Sequence, residues 1–308
     1  MEKTIAIINE TKKAVSGKDD TLKWIFATIL AGGHILLEDM PGVGKTTIAL
    51  AFSKAMGLSC GRVQFTPDVL PSDITGYSVY IRETGGLQYQ PGAVLCNLFL
   101  GDELNRATSR TQAALLEAME EGAVTVDGVS HKLPEPFVVF ATQNPTGAAG
   151  TQLLPDSQMD RFMVRLSVGY PSAAAEMEMI KNRQAHNPLD DVVPVVTSDE
   201  LNEMKEQVAN VFVKDEIVEY VVDLINATRK CDKLSRGASP RASLALTSMA
   251  KSVAYLNGRD FVVPGDVQAV YIPTVAHRLL LTPESEARGI SAESVLEELM
   301  NKVPAPRI

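Results

Sequence analysis

The segment HILLEDMPGVGKTT, residues 34–47, combines an apolar strand-like run with a glycine loop and the start of a helix. In such a loop, backbone N–H groups can surround an anion at the N-terminus of the following helix. Lys45 can then reach the β- and γ-phosphates of a nucleotide, and the Thr46 hydroxyl can ligate Mg²⁺. The pattern differs from G-x-x-x-x-G-K-[ST] at Asp39, which stands where the first glycine belongs. We expect this loop to bind a nucleoside triphosphate through Pro41, Gly42, Val43, Gly44, Lys45, Thr46 and Thr47.

A pair of acids follows a second apolar run, LFLG, which leads directly to Asp102 and Glu103. A carboxylate at the carboxyl end of a parallel strand beside a phosphate loop can hold Mg²⁺, directly or through water. An adjacent glutamate can polarise the attacking water. Taken alone, the pair is equally typical of an ordinary strand end. The preceding phosphate loop favours a Walker B interpretation, with Asp102 at the metal and Glu103 as a catalytic residue.

A polar amide follows a third apolar run, FVVFAT, which continues into Gln143, Asn144 and Pro145. An amide just past a central strand can hydrogen-bond the γ-phosphate or the lytic water. Asn144 can also be explained as a turn residue, because the position before proline disfavours helix and Asn favours turns. Both interpretations stay open from these residues alone.

The composition describes an ordinary globular protein of 308 residues, with 45% hydrophobic and 22% charged residues. A formal net charge of −9 argues against a strongly basic nucleic-acid surface. The three cysteines lie far apart and predict reduced thiols. No apolar run is long enough to span a bilayer, and the first residues lack a signal-peptide layout. We expect a soluble cytoplasmic protein without membrane insertion.

Strand-like runs and helical stretches alternate in the first half and predict an α/β fold with a parallel sheet. The runs cover 34–38, 62–65, 95–101, 137–142 and 163–168, with helices at 4–15, 18–30 and 108–120. Alternating segments at 77–89 and 123–133 predict two hairpins, with turns at Thr84-Gly85-Gly86 and Asp127-Gly128. Beyond these, helices are predicted at 172–187, 198–212, 214–231, 240–257, 264–280 and 291–302.

Together these segments resemble the AAA+ ATPases and, more narrowly, the MoxR family. The resemblance covers essentially the whole chain, and Asp39 at the first loop position is itself similar to what the family shows. It implies ATP as the nucleotide and an AAA+ P-loop NTPase core with a parallel sheet flanked by helices over residues 1–171. A smaller all-helical lid domain is implied over residues 172–308. The most specific segments are LLEDMPGVGKTT, QFTPDVLPSDITG, LGDELNRATSRTQAALLEAMEEGAVTVDG, ATQNP, LPDSQMDRF and GRDFVVPGDV.

The resemblance also implies roles for single residues. Asn144 resembles sensor 1, and Arg161 resembles the arginine finger that completes a neighbouring subunit's site. For an arbitrary Asp-Arg pair, a surface salt bridge to Asp160 or Asp156 would be the simpler interpretation of Arg161. Arg241 resembles sensor 2, and whether it acts on its own site or on a neighbour's is left open.

Three further segments take their interpretation from the family. Gly17 lies in VSGK, which resembles the segment beside the adenine, and the two hairpins look like the helix-2 insert and the pre-sensor 1 insert. Glu117, Glu120 and Glu121 predict a solvated helix face. The four scattered histidines show no metal-ligand spacing.

The leading functional hypothesis is a ring homo-oligomer, expected to be a hexamer, that couples ATP hydrolysis to chaperone-like work. That work would be remodelling, maturation or metal-cofactor insertion of client complexes, with a von Willebrand factor A domain protein as partner. A nucleic-acid motor is the first alternative, although the two hairpins offer only Arg82, His131 and Lys132 as basic or titratable groups. Two further alternatives are the ATPase subunit of a metal chelatase and a nucleotide-dependent scaffold that does not hydrolyse ATP.

Overall fold

The structure is a computed structural model that describes residues 2–40, 42–83, 85–144, 154–177, 179 and 186–307. The described residues of the first half form nine strands, of which five make up the central sheet. Their bounds are β1 Ile35–Glu38, β2 Cys60–Gln64, β3 Gly76–Ile81, β4 Gly86–Pro91, β5 Leu98–Asp102, β6 Ala123–Val126, β7 Val129–Lys132, β8 Val138–Gln143 and β9 Val164–Leu166.

The central sheet has the order β2-β5-β8-β1-β9, and every neighbouring pair is parallel. All residues of β5 and β8 are buried, as expected for inner strands of a parallel sheet covered on both faces. Each of the five predicted strand regions overlaps one of these strands, with ends that differ by at most three residues. Because the strands are parallel, their carboxyl ends all lie at one edge of the sheet.

Helices cover both faces of the sheet. Their bounds in the first half are α1 Glu2–Lys12, α2 Asp19–Leu30, α3 Lys45–Ala55, α4 Pro71–Thr75, α5 Ser109–Glu121 and α6 Asp156–Met159, with a 3₁₀ turn at Leu104–Arg106. Alternate residues of β8 face opposite sides of the sheet and belong to two different apolar cores. Phe140 packs with Phe26 and Phe52 on one face, while Val139 packs with Phe99 on the other.

Two antiparallel hairpins project from this framework at the predicted positions. In the β6–β7 hairpin the turn residues Asp127 and Gly128 both have positive φ, 49° and 77°. Positive φ at both central positions is what a two-residue type I′ turn requires. In the β3–β4 hairpin the predicted turn includes Thr84, which lies outside the described residues. The two hairpins touch where Tyr89 stacks on His131, with ring centroids 3.7 Å apart.

The second half is predominantly helical. Five of its predicted helices contain observed ones, and the prediction for 172–187 includes residues outside the described ranges. The observed helices are α7 Ser198–Ala209, α8 Asp215–Arg229, α9 Pro240–Leu256, α10 Pro264–Val275, α11 Pro283–Ala287 and α12 Ala292–Lys302, with 3₁₀ turns at Pro188–Asp191 and Ala276–Arg278.

The sequence did not predict the short helix α11, nor the short antiparallel pair that joins β10, Leu234–Arg236, to β11, Leu280–Leu281. The strand-like run VVPVV at 192–196 forms no strand. Burial of Leu234 and the brevity of both segments explain why no alternation is visible there. The predicted division between residues 171 and 172 stays a prediction, since the larger apolar core contains residues from both sides of it.

The helical half is anchored to the sheet by a buried pair of basic residues. His277 Nε2 donates to the Phe162 carbonyl over 3.0 Å, and Arg278 donates to the same carbonyl and to Asp160. Both side chains come from the 3₁₀ turn after α10, while Phe162 lies two residues before β9. No helix among the described residues is both long and apolar enough to cross a membrane.

The anchor predicts a pH-dependent stability. Burial first, and the charge of Arg278 second, place the pKa of His277 well below its usual 6.5. Below about pH 6.5, His277 therefore binds a proton in the unfolded chain but stays neutral in the folded chain. The free energy of unfolding falls as the pH drops through this range. This residue contributes at most about 1.4 kcal/mol per pH unit. Thermal midpoints measured from pH 7.5 to 5.5 should fall less steeply for His277→Gln than for the wild type.

The matched control is Asn210→Gln, an exposed change that removes no titratable group. It should keep the wild-type slope. Parallel slopes for wild type and His277→Gln would contradict the assignment.

Candidate active site

The phosphate loop connects β1 to α3 through two glycines in the left-handed region. Gly42 has φ 87° and Gly44, which is the N-cap of α3, has φ 95°. A Cβ atom at either position would meet nothing within 4 Å. Glycine is therefore favoured by the positive φ and not by a lack of space for a side chain. Pro41 lies outside the described residues. The described part of the loop leads directly into the N-terminus of α3, where the sequence predicts that an anion binds.

Lys45 occupies the centre of the site. Its side chain belongs to a residue only 8% exposed, and its ammonium donates to the Asp39 carbonyl over 2.5 Å and to Asn144 Oδ1 over 3.3 Å. Burial lowers the pKa of Lys45, and the charges of four nearby carboxylates, Asp39 first among them, oppose that shift. The structure thus brings Lys45 and Asn144 together although they are far apart in sequence.

Thr46 and Asp102 lie side by side, as the metal prediction requires. Thr46 Oγ1 donates to Asp102 Oδ2 over 3.2 Å, and Asp102 is 5% exposed. A hydroxyl and a carboxylate supply the hard oxygen ligands that Mg²⁺ takes beside nucleotide phosphates, so the donor set fits this ion.

Arg62 contacts Asp102 in this site, and the sequence did not predict this contact. From β2 its Nε and Nη2 reach Asp102 Oδ2 over 3.0 and 2.9 Å. The parallel register of β2 and β5 places the two side chains together, with Gln64 opposite Asp102. No motif in the sequence marks this pairing, because it depends on which strand lies beside β5.

Glu103 adopts φ 56°, an uncommon value for a residue that is not glycine. Its backbone N–H donates to Thr142 Oγ1 over 2.9 Å, which fixes the turn after β5 against β8. Its carboxylate accepts from Asn144 Nδ2 at 3.4 Å and from Arg106 Nη1 at 2.7 Å. Lys45, Asn144 and Glu103 therefore form one hydrogen-bonded chain across the carboxyl end of the sheet. The Arg106 contact is a second one that the sequence did not predict.

The hydrogen bonds of Asp39 explain why an acid stands where the first loop glycine is expected. Its carboxylate accepts from the backbone N–H groups of Val168 and Gly169 and from Ser167 Oγ, the last over 2.8 Å. These donors belong to the segment that leaves β9, so the acid joins the start of the phosphate loop to the neighbouring strand. A glycine there would leave these N–H groups without their acceptor.

A pocket beside the phosphate loop contains the segment around Gly17. Ser16, Lys18, Gly42 and Thr47 are among its lining residues. Gly17 itself has φ 71°, and a Cβ atom there would lie 2.9 Å from Ala175 Cβ, so a larger residue would disturb the turn that presents Ser16 and Lys18. The position next to the loop suits the base and sugar of a nucleotide.

Arg161 and Arg241 lie away from this site, at the opposite edge of the sheet. Arg161 precedes β9, whereas the phosphate loop follows β1, and β1 and β9 are parallel neighbours with Ile35 opposite Val164. At about 3.3 Å per residue, β1 alone separates the two edges by roughly 10 Å. Both arginines bind Glu120: Arg161 contacts one carboxylate oxygen and Arg241 the other, over 2.9 Å.

These contacts correct one expectation. The acid beside Arg161 is Glu120, and neither Asp160 nor Asp156 pairs with Arg161. Glu120 is exposed, as predicted for a solvated helix face, and its carboxylate in addition joins two guanidinium groups. Glu117 and Glu121 are exposed as expected.

Known proteins agree with this architecture. The family model "ATPase family associated with various cellular activities (AAA)" matches residues 34–164, and the AAA lid domain model matches residues 226–299. Chaperone MoxR1 of Mycobacterium tuberculosis is 38% identical over 98% of this chain and 82% of its own length. The uncharacterized protein YeaC of Bacillus subtilis is 42% identical over 97% of this chain and 93% of its own. The chain belongs to the MoxR family of AAA+ ATPases.

A solved structure supports the same conclusion for the fold of this MoxR-family protein. A candidate ATPase from Cytophaga hutchinsonii superposes with a TM-score of 0.92 at 34% identity, covering 99% of this chain and 96% of that one. The predicted fold class, an AAA+ core followed by a helical lid, is confirmed, and the protein is an ATPase. The roles of individual residues stay predictions.

The role of Asp39 predicts the effect of removing its charge. Asp39→Asn keeps the shape of the side chain, but its amide cannot serve the N–H donors of Val168 and Gly169 as a carboxylate does. Hydrogen bonds to charged groups contribute about 1.5–3 kcal/mol, so the free energy of unfolding should fall by about that much. Denaturant titration measures the loss.

Ser167→Ala is the matched control, because it removes one donor and leaves the Asp39 carboxylate with its two backbone partners. It should cost less than Asp39→Asn. An Asn variant as stable as the wild type would contradict the structural role of the acid.

Proposed function

We propose that this MoxR-family ATPase hydrolyses ATP at a site shared by two copies of the chain in a ring. The observation that supports a shared site is the position of Arg161 and Arg241 at the sheet edge opposite the phosphate loop. A guanidinium there cannot reach the chain's own γ-phosphate without crossing the sheet. It can reach the phosphate of a second copy whose loop faces it, which is how heterologous contacts close into rings.

The proposed chemistry begins with the phosphates on residues 42–46. Lys45 exchanges the amide oxygen of Asn144 for an oxygen of the γ-phosphate. Asn144 is then free to orient the attacking water, and Glu103 accepts the proton of that water as it attacks the γ-phosphorus and ADP leaves. Arg161 of the neighbouring copy stabilises the charge that spreads over the transferring phosphoryl group. Thr46 and Asp102 would hold Mg²⁺, which neutralises charge on the β- and γ-phosphates when bound.

We further propose that the ATPase cycle drives chaperone-like remodelling or maturation of a client complex, including metal-cofactor insertion. The relative MoxR1 carries the name chaperone. The β3–β4 hairpin exposes Tyr77, Tyr80 and Leu87, large apolar side chains that suit contact with another protein. A hexamer, a cytoplasmic location and a partner with a von Willebrand factor A domain belong to this proposal. The net charge of −9 gives no support to a nucleic-acid substrate.

The shared site is tested by mixing two inactive variants. Lys45→Ala loses its own phosphate site but keeps Arg161, while Arg161→Ala keeps its site but should lose about 10²-fold or more in kcat because it cannot complete a neighbour's. In randomly mixed rings, the Lys45→Ala copy completes the site of an adjacent Arg161→Ala copy. Steady-state ATPase of the mixture should recover to about a quarter of the wild-type rate.

Mixing Arg161→Ala with a Lys45→Ala/Arg161→Ala double variant is the control, and it should recover nothing. An Arg161→Ala protein with wild-type kcat, or a first mixture as inactive as its parts, would contradict a site completed in trans.

The client is tested by trapping. Glu103→Gln should bind ATP and lose kcat by about 10²-fold or more, since the amide cannot accept the proton of water. Affinity capture with this variant in ATP, followed by mass spectrometry, should recover a protein with a von Willebrand factor A domain. The Lys45→Ala variant, which should not hold ATP, is the control. Recovery of DNA without a protein client would favour the motor hypothesis instead.

A further inference from the structure

Glu120, in the last turn of α5, joins the two arginines that the shared site needs. One carboxylate oxygen contacts Arg161 Nη1, and the other accepts from Arg241 Nη2 over 2.9 Å. Arg161 precedes β9 in the core, whereas Arg241 lies in the first turn of α9 in the helical half. Glu120 thus contacts two guanidinium groups that come from different parts of the fold.

We propose that Glu120 is a positioning residue that aligns Arg161 and Arg241 toward the nucleotide of a neighbouring copy. This inference rests on the proposed shared site. Glu120 touches no nucleotide itself. Its role is to hold two long, flexible side chains with like charge at a fixed separation, as a carboxylate behind a ligating group does in other sites.

The donor count leaves room for a phosphate. A guanidinium has five N–H donors, and Glu120 contacts one terminal nitrogen of each arginine. The other terminal nitrogen and Nε of both side chains stay available for phosphate oxygens, although Arg241 Nη1 also lies 3.9 Å from Asp160. Alignment by Glu120 is therefore compatible with simultaneous binding of an anion.

The nearby acid Asp160 is committed to a different partner. Its carboxylate binds Arg278, which is 5% exposed, and accepts from Ser239 Oγ over 3.3 Å. In the part of the chain that the structure describes, the acid paired with Arg161 is Glu120. Asp160 holds the helical half against the core, and Glu120 is left to control the arginine pair.

The backbone of Glu120 is itself fixed to the sheet. The preceding residue, Met119, offers its carbonyl to His34 Nε2 over 3.1 Å, and His34 Nδ1 accepts from Val139 N–H in β8. Leu115 and Leu116 of α5 are buried in the core below, and Gly122 ends the helix in the left-handed conformation. Glu120 therefore starts from a rigid point, which a residue that positions others requires.

The test separates alignment from folding by kinetics. Glu120→Gln keeps the volume and one carbonyl oxygen but turns an NH₂ group toward one guanidinium. We expect kcat to fall at least ten-fold while KM and the affinity for a fluorescent ATP analogue change less than two-fold, because the chain's own phosphate loop lies at the other sheet edge. Glu121→Gln, an exposed neighbour, should keep both constants. Wild-type kcat in Glu120→Gln would overturn the proposal.

Mixing experiments locate the defect. Glu120→Gln mixed with Lys45→Ala should regain activity, because the Lys45→Ala copy carries a well-aligned arginine pair. Mixed with Arg161→Ala it should stay inactive, since both variants damage the same half of the site. Recovery with Arg161→Ala, or none with Lys45→Ala while Arg161→Ala and Lys45→Ala complement each other, would overturn the role of Glu120. If that last pair also fails to complement, the shared site itself is wrong.

A second variant protects the test against misfolding. Glu120→Asp keeps the charge but withdraws the carboxylate by one methylene, so its kcat should lie between those of the wild type and Glu120→Gln, again with unchanged KM. Its thermal midpoint should match that of Glu121→Gln. An Asp variant no more active than Glu120→Gln would mean that charge plays no part in the alignment and would contradict the proposal.

Discussion

The buried ammonium of Lys45 is the constraint on which the site depends. A cation removed from water needs hydrogen-bond acceptors and negative charge nearby. Around Lys45 these are the Asp39 carbonyl, the Asn144 amide oxygen and nearby carboxylates. Those groups come from the carboxyl ends of β1, β5 and β8, so the ammonium contacts residues from three strand ends. In the proposed mechanism a γ-phosphate displaces these acceptors, so nucleotide binding also releases Asn144, which is hydrogen-bonded to Glu103.

The direction of the parallel sheet keeps the phosphate loop and Arg161 apart within one chain. Everything that binds phosphate follows a strand, and Arg161 precedes one, so the two groups lie at opposite edges of the same sheet. Strand β1 has partners on both sides and cannot bend to bring them together. In the proposed mechanism Arg161 acts on the nucleotide of another copy, so that proposal makes assembly a condition for hydrolysis.

Local patterns predicted most of the fold and half of the site. Apolar runs ended by polar residues identified all five strands, and Asp127-Gly128 identified a hairpin from its turn chemistry alone. Lys45, Thr46, Asp102 and Asn144 were found because each follows a strand, and strand order then brings them together. Arg62 and Glu120 could not be found in this way. Their partners depend on which elements become neighbours in space, and a lone charged residue on a strand or helix carries no sign of its partner.

Strand β1 and the residues on either side of it connect the phosphate loop of each chain with the region of Arg161 and Arg241. At its carboxyl end it leads into the phosphate loop; at its amino end His34 holds the carbonyl of Met119, next to the acid that aligns the arginines. Strand β1 is paired on both edges, so its two ends keep a fixed separation. Arg161 belongs to the core and Arg241 to the first turn of α9 in the helical half. Because Glu120 contacts both, the spacing of the two arginines depends on how the two parts of the fold pack against each other.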